Sequence, residues 1–191
     1  MRIIGGAARG LRLAEVGTGD QKAHLRPTSD RVREAIFNLL LNGAAPFSMD
    51  GARVLDLFAG TGALGLEALS RGAAQCTFVD DGAAARALLR QNIEKMRAMG
   101  VTRVFRRDAT QLGENRGPGF SLVFLDPPYG AGLGEKALVA AQAGGWLADG
   151  ARIVWEEADP QSAPQGFSLI DQRSYGNTGV TFLTYEGSHA S

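Results

Sequence analysis

Val54-Leu55-Asp56-Leu57-Phe58-Ala59-Gly60-Thr61-Gly62-Ala63-Leu64-Gly65 decides the fold of this chain. An apolar run of strand length gives way to a glycine-rich turn and then to a helix predicted to begin near Ala63, the first unit of a nucleotide-binding α/β sheet. Gly60, Gly62 and Gly65 satisfy G-x-G-x-x-G, a pattern shared with dinucleotide folds. Asp56 separates the two readings. A carboxylate at the strand end repels a pyrophosphate and attracts the ammonium of a methionine moiety beside a sulfonium. The turn is therefore read as an S-adenosylmethionine site, with Asp56 as the counter-charge to the ammonium. A tight strand-to-helix turn with no ligand is the plainer alternative.

The same logic extends along the chain. A second strand, Gln75–Val79, ends in Asp80-Asp81, about where an acid meets the ribose hydroxyls in such β-α-β units. Asp80 is assigned to the ribose and Asp81 to the N-cap of a helix over Ala83–Met99, with an exchange of the two roles left open. A third strand, Val101–Arg107, leads to Asp108-Ala109, placed at the adenine amino group. Asp56, Asp80, Asp108 and Asp126 thus each close one of four successive apolar strands. In open α/β sheets the carboxyl ends of the strands are where ligands sit.

The fourth strand runs into Leu125-Asp126-Pro127-Pro128-Tyr129. This stretch suits the exocyclic amino group of a nucleobase, whose nitrogen is a poor nucleophile because its lone pair is delocalised into the ring. The Asp126 carboxylate and the Pro127 carbonyl can each accept one N–H and draw that nitrogen towards tetrahedral geometry, while Tyr129 stacks on the base. Pro127 and Pro128 have nearly fixed φ and no backbone donor, which pre-organises the segment. Asp and Pro are also ordinary turn formers, so a simple strand-ending turn is the competing reading.

With 191 residues, 45% hydrophobic and 21% charged, the chain suits one substantial core. No apolar span is long enough for a membrane helix and no leader-like start is present, so a cytoplasmic enzyme is expected. Cys76, the single cysteine, reads as a buried strand residue. His24 and His189 lie far apart, and no metal site is expected. Net charge is zero, yet residues 1–33 carry seven Arg or Lys against three acids, leaving the remainder net acidic. Such an arm could pair with phosphates while the acidic portion holds a cationic cofactor; a solvated basic face is the alternative.

Within that arm, residues 2–6 and 11–13 flank a glycine-rich turn and predict a short hairpin. Thr28-Ser29-Asp30 offers caps to a helix through about Leu41, with Val32, Ala35, Ile36, Leu39 and Leu40 as its apolar stripe. Arg31 and Arg33 fall off that stripe near the helix N-terminus, and with Arg26 they are expected to contact RNA phosphates.

Met1–Gly10, Arg26-Pro27-Thr28-Ser29-Asp30-Arg31-Val32-Arg33-Glu34-Ala35-Ile36-Phe37-Asn38, Leu55–Gly65 and Leu125–Gly130 together resemble the bacterial RsmD family, which methylates N2 of a guanine in small-subunit (16S) ribosomal RNA. The resemblance spans most of the chain. It implies that Asp56, Phe58, Gly60 and Gly62 contact the methionine part of S-adenosylmethionine, Asp80 the ribose, Asp108 and Ala109 the adenine, and Asp126, Pro127, Pro128 and Tyr129 the target amino group. A glutamate is common in that family where this chain has Asp80. A late strand pair, Phe167–Ser174 and Val180–Tyr185, is also expected around a hairpin turn.

The expected architecture is a Rossmann-like class I methyltransferase: one seven-stranded, mainly parallel sheet with its last strand antiparallel. Residues 1–45 form an N-terminal extension for RNA and 46–191 the methyltransferase domain. The expected reaction is direct methyl transfer without covalent intermediate or metal, on an accessible base in a ribosomal subunit or its precursor, by a monomer. Two rivals stand beside it. A DNA adenine-N6 methyltransferase shares Asp126–Tyr129 but usually needs an added recognition domain for which there is little room. A non-catalytic S-adenosylmethionine- or RNA-binding module would keep the fold without the acid at position 126.

Overall fold

A computed structural model describes residues 1–15 and 28–188 of the chain. Arg26 and His24 therefore lie outside the described residues, as does His189.

Seven strands form one sheet: β1 (Arg53–Leu57), β2 (Gln75–Val79), β3 (Thr102–Phe105), β4 (Phe120–Leu125), β5 (Leu147–Glu157), β6 (Phe167–Tyr175) and β7 (Thr178–Tyr185). Their order is β3-β2-β1-β4-β5-β7-β6. β1 to β5 run parallel, and β7 is antiparallel to both β5 and β6. β1 is the central apolar run, buried at four of its five positions. Its flanks, β2 and β4, place Phe78 and Phe124 beside Asp56. The order changes direction at β1, so the carboxyl ends of β1 and β4 open onto a crevice of the kind that holds ligands.

Strand alternation divides the interior into two apolar layers. One face carries Val54, Phe78 and Phe124 against helices α1 (Asp30–Asn42), α2 (Ala63–Ser70) and α3 (Ala83–Lys95). The other carries Leu55, Val79 and Leu125 against α4 (Leu133–Ala143) and Trp146. Ile3 and Leu13 pack into the first layer with Ile36, Phe37 and Leu40 of α1. The predicted hairpin is reduced to a single Arg2–Arg12 bridge supported by Ile3 N–H to Leu11 O at 2.9 Å and Gly10 N–H to Ile3 O at 2.8 Å. It is locked to α2. Glu67 accepts from Ile4 N and Gly5 N, each at 2.9 Å, and Ser70 Oγ accepts from Ala8 N at 2.9 Å.

Several sequence expectations need correction. The buried stripe of α1 is Arg33, Ile36, Phe37 and Leu40, one residue round from the predicted one. Arg33 is 0% exposed, so it does not offer its guanidinium to an RNA phosphate. That group pairs with Asp30 at 2.9 Å, reaches buried Glu67 at 3.6 Å and donates to the Arg2 carbonyl. Ser29 caps α1, accepting from Val32 N. α3 stops at Lys95 rather than Met99 because Arg97 adopts a left-handed φ of 54°. Ala98 N–H then reaches Ile93 O and Arg97 N–H reaches Glu94 O, a closing pair that satisfies the last carbonyls. The N-cap of α3 is Gly82, not Asp81, which is exposed. β3 is shorter than predicted: Val101 belongs to a 3-10 turn, and Arg107 leaves the strand to donate to Leu112 O at 2.8 Å.

Candidate active site

The glycine turn is shaped by its backbone. Phe58 takes a left-handed φ of 57°, Gly60 56° and Gly62 82°. Three such residues within five reverse the chain tightly enough to start α2 directly above β1. A Cβ on Gly62 would stand 2.3 Å from Leu89 Cδ1, and one on Gly65 would stand 2.4 Å from the Phe78 ring, so both glycines are fixed by packing as well. Gly62 N–H donates to Ala59 O at 2.8 Å, closing the turn.

Asp56 is 2% exposed and accepts from Gly65 N at 3.0 Å, serving an otherwise unpaired donor in the first turn of α2. Burial pushes its carboxyl well above the usual carboxylate range, and nearby Asp80 and Glu156 push it further. Asp80 follows β2 and uses both oxygens: Oδ2 accepts from Gly60 N at 2.9 Å and Oδ1 from Gly82 N at 2.8 Å. It thus ties the glycine turn to the β2–α3 junction. The sequence assigned Asp80 to the ribose with an exchange with Asp81 left open, and the geometry puts Asp80 against the glycine turn.

Asp108 lies three residues beyond the end of β3 and is exposed. Its Oδ1 accepts from Thr110 N at 2.8 Å and Thr110 Oγ1 at 2.7 Å, a local turn beside buried Ala109. Asp80 N–H donates to Phe105 O at 3.2 Å and brings this edge alongside. Strand-end register is therefore strict for Asp80 and Asp126, which directly follow their strands, whereas Asp56 is inside β1 and Asp108 is set back.

Asp126 follows β4, with Pro127 buried and Pro128 exposed. Burial first, then Glu156, Asp56 and Glu157, raise its carboxyl well above the ordinary range. The loop is pinned from β5: Glu157 Oε1 accepts from Gly130 N at 3.0 Å and from Ala158 N at 3.2 Å. Tyr129 Oη and Thr178 Oγ1 lie 3.4 Å apart, linking the aromatic to the start of β7.

Glu156 and Glu157 were missed, although Ile153-Val154-Trp155 before them is one more apolar strand ending in acids. Glu156 is 2% exposed and pushed up to about 7 by burial, against the opposing pull of its Thr28 bond and of Arg33. Thr28 Oγ1 donates to it at 2.9 and 3.0 Å, so the start of α1 is fastened to the site. Asn92 was missed as well. Its amide accepts from Ala14 N at 2.6 Å and donates to Thr61 O at 2.9 Å, bracing the glycine turn between α3 and the N-terminal segment. Among the expected RNA contacts, Arg31 is exposed at the start of α1.

Asp56 feels the charges of Asp80 and Glu156, and Asp126 those of Glu156, Asp56 and Glu157, towards the carboxyl ends of neighbouring strands. Their mutual repulsion is relieved by a cation placed among them. Beside a glycine turn that leaves no room for a Cβ, this donor set fits a ligand carrying both ammonium and sulfonium charge.

Sheet order, reversed β7, glycine turn and acidic crevice define the class I methyltransferase fold. The solved structure of yhhF from Escherichia coli superposes with a TM-score of 0.82 at 37% identity, covering 98% of this chain and 99% of that one. The family described as Conserved hypothetical protein 95, the RsmD family, matches residues 1–184, and the chain belongs to it. It is 42% identical over 189 residues to Ribosomal RNA small subunit methyltransferase D of Escherichia coli (strain K12), spanning 97% of this chain and 89% of that protein. The protein of the same name from Haemophilus influenzae is 34% identical over 182 residues, spanning 92% and 89%.

Proposed function

We propose that the protein transfers a methyl group from S-adenosylmethionine to the exocyclic N2 of a guanine in small-subunit ribosomal RNA. The observation that carries this reading is Asp126-Pro127-Pro128-Tyr129, held by Glu157 at the mouth of the acidic crevice. The relatives named as ribosomal RNA small subunit methyltransferases support RNA as the substrate.

Asp56 and the Phe58–Gly62 turn would hold the methionine part, Asp80 the ribose, and Asp108 with Ala109 the adenine. Bound there, S-adenosylmethionine supplies a methyl group on a positively charged sulfur. The chain's own residues do the rest. Asp126 and the Pro127 carbonyl accept the two N–H groups of the target and favour a tetrahedral nitrogen. Tyr129, tethered near Thr178, offers a face for the unstacked base. The alkylated nitrogen must shed a proton, and Asp126 is the group positioned to take it, its proton affinity raised by its surroundings. Arg31, together with exposed Arg9 and Arg12, keeps the N-terminal face cationic for phosphates. Arg26 belongs to the same proposal.

Incubation with labelled S-adenosylmethionine and either small ribosomal subunits or DNA, followed by nucleoside analysis, tests the reading. Label in N2-methylguanosine is expected, and label in N6-methyladenine of DNA would overturn it.

A further inference from the structure

The stretch joining β3 to β4, residues 106–119, contains no helix. A groove of about 720 Å³ lies beside this stretch, along the margin of the sheet at Arg53 of β1, Gln75 and Thr77 of β2, and Arg103 and Phe105 of β3. Arg53, Arg103, Arg107 and Arg116 line this groove against a single acid, Glu114. Among the described residues none of these arginines is in an ion pair.

The walls are built rather than loose. Asn115 N–H donates to Gly144 O at 2.8 Å, its side chain donates to Pro118 O at 3.1 Å and Gly145 O at 3.2 Å, and Trp146 Nε1 donates to Gly113 O at 2.8 Å. The 106–119 segment is thus tied to the end of α4. Arg53 is aimed by Gly119 O at 3.3 Å and by the Phe120 ring at 5.2 Å, and Arg107 by Leu112 O and the Phe105 ring at 4.9 Å. Arg103 and Arg116 are exposed. Guanidinium groups without carboxylate partners, two of them pre-aimed, form a site for phosphate oxygens. Phe120 and Trp146 are buried and stacked on each other at 6.0 Å, so they offer no free face to a base. The chemistry favours a backbone over bases.

We propose that this groove binds the phosphodiester backbone of the RNA substrate at a distance from the target guanine, as a second anchor beside the N-terminal arm. Arg107 is the neighbour of Asp108, so the groove begins at the adenine edge of the cofactor crevice and runs towards the amino ends of β1 and β2. The inference rests on the RNA-methylating reading above. Contacts of this kind fix register and orientation and carry no sequence information.

The test is the double substitution Arg103→Ala/Arg116→Ala, at two exposed side chains outside the catalytic machinery. Salt-series filter binding and steady-state methylation use small-subunit RNA in its particle. The log–log salt slope should fall by roughly 0.7–0.9 for each phosphate no longer neutralised. KM for the RNA should rise about tenfold, with kcat, cofactor affinity and melting temperature unchanged. Arg103→Lys/Arg116→Lys should restore most of the slope, because charge is kept. An unchanged slope and KM, or a lower melting temperature with an unchanged slope, overturns the groove proposal. A parent protein that neither binds nor methylates the RNA overturns the RNA reading itself, and the groove proposal with it.

Discussion

Replacing Arg33 by methionine separates a structural role from an RNA-binding one. The methionine keeps an apolar stem in the first layer and removes the bonds to Thr28 O and Arg2 O, the Asp30 pair and the approach to Glu67. Breaking a buried ion pair by removing one partner costs about 3–5 kcal/mol. Glu67 keeps Arg71 at 2.9 Å and the N–H groups of Ile4 and Gly5, so the lower end, about 3 kcal/mol, applies. For a chain of this size each kcal/mol moves the midpoint by roughly 2–4 °C, giving a fall of about 6–12 °C. Differential scanning calorimetry reads it directly, with Arg31→Ala as an exposed control that should leave the midpoint in place. At a temperature where Arg33→Met is still folded, its RNA salt slope should equal the parent's. A midpoint within about 2 °C of the parent, with a reduced salt slope, would refute the burial of this guanidinium and return it to the RNA.

Glu156, pushed up to about 7, holds its proton in the folded state over a range where the unfolded chain, near its ordinary 4.5, has released it. Stability therefore declines as pH climbs from about 4.5 to about 7, and Glu156→Gln should make that decline shallower in melting curves across the range. Parallel pH profiles for parent and variant would contradict this; Asp56 and Asp126, raised in the same sense, leave a residual slope. Gly62→Ala must place a Cβ 2.3 Å from Leu89 Cδ1 at a φ of 82°. S-adenosylhomocysteine affinity by calorimetry should drop at least tenfold, in line with a few kcal/mol of local strain; parental affinity would show that the turn tolerates reshaping.

Much of the sheet was readable because β1, β2 and β4 are short apolar runs closed by turn residues and acids, a pattern that parallel strands buried on both faces impose. Asp80 and Asp126 follow from the same rule. Applied once more, it would also have found Glu156 and Glu157 after Ile153-Val154-Trp155. Arg33 was hidden for a physical reason. Stripes starting at Val32 and at Arg33 share Ile36 and Leu40, and the charged choice becomes favourable when distant Glu67 and the Arg2 carbonyl join Asp30 around the guanidinium. Asn92 looks like any polar helix residue until α3 is set against the glycine turn. The arginine groove is not a motif at all, since it arises from the missing helix between β3 and β4 and from side chains that only the sheet brings together.

The role proposed for Asp126, acceptor for the target amino group, is central, and one comparison tests it most directly. Asp126→Ala is assayed for S-adenosylhomocysteine binding by calorimetry and for single-turnover methylation of small-subunit RNA. The expected result is cofactor affinity near that of the parent and a methylation rate at least about a hundredfold lower, the loss typical of a transition-state hydrogen bond. A rate within about threefold of the parent would contradict it, since so small a change leaves no transition-state contact to assign to this carboxylate.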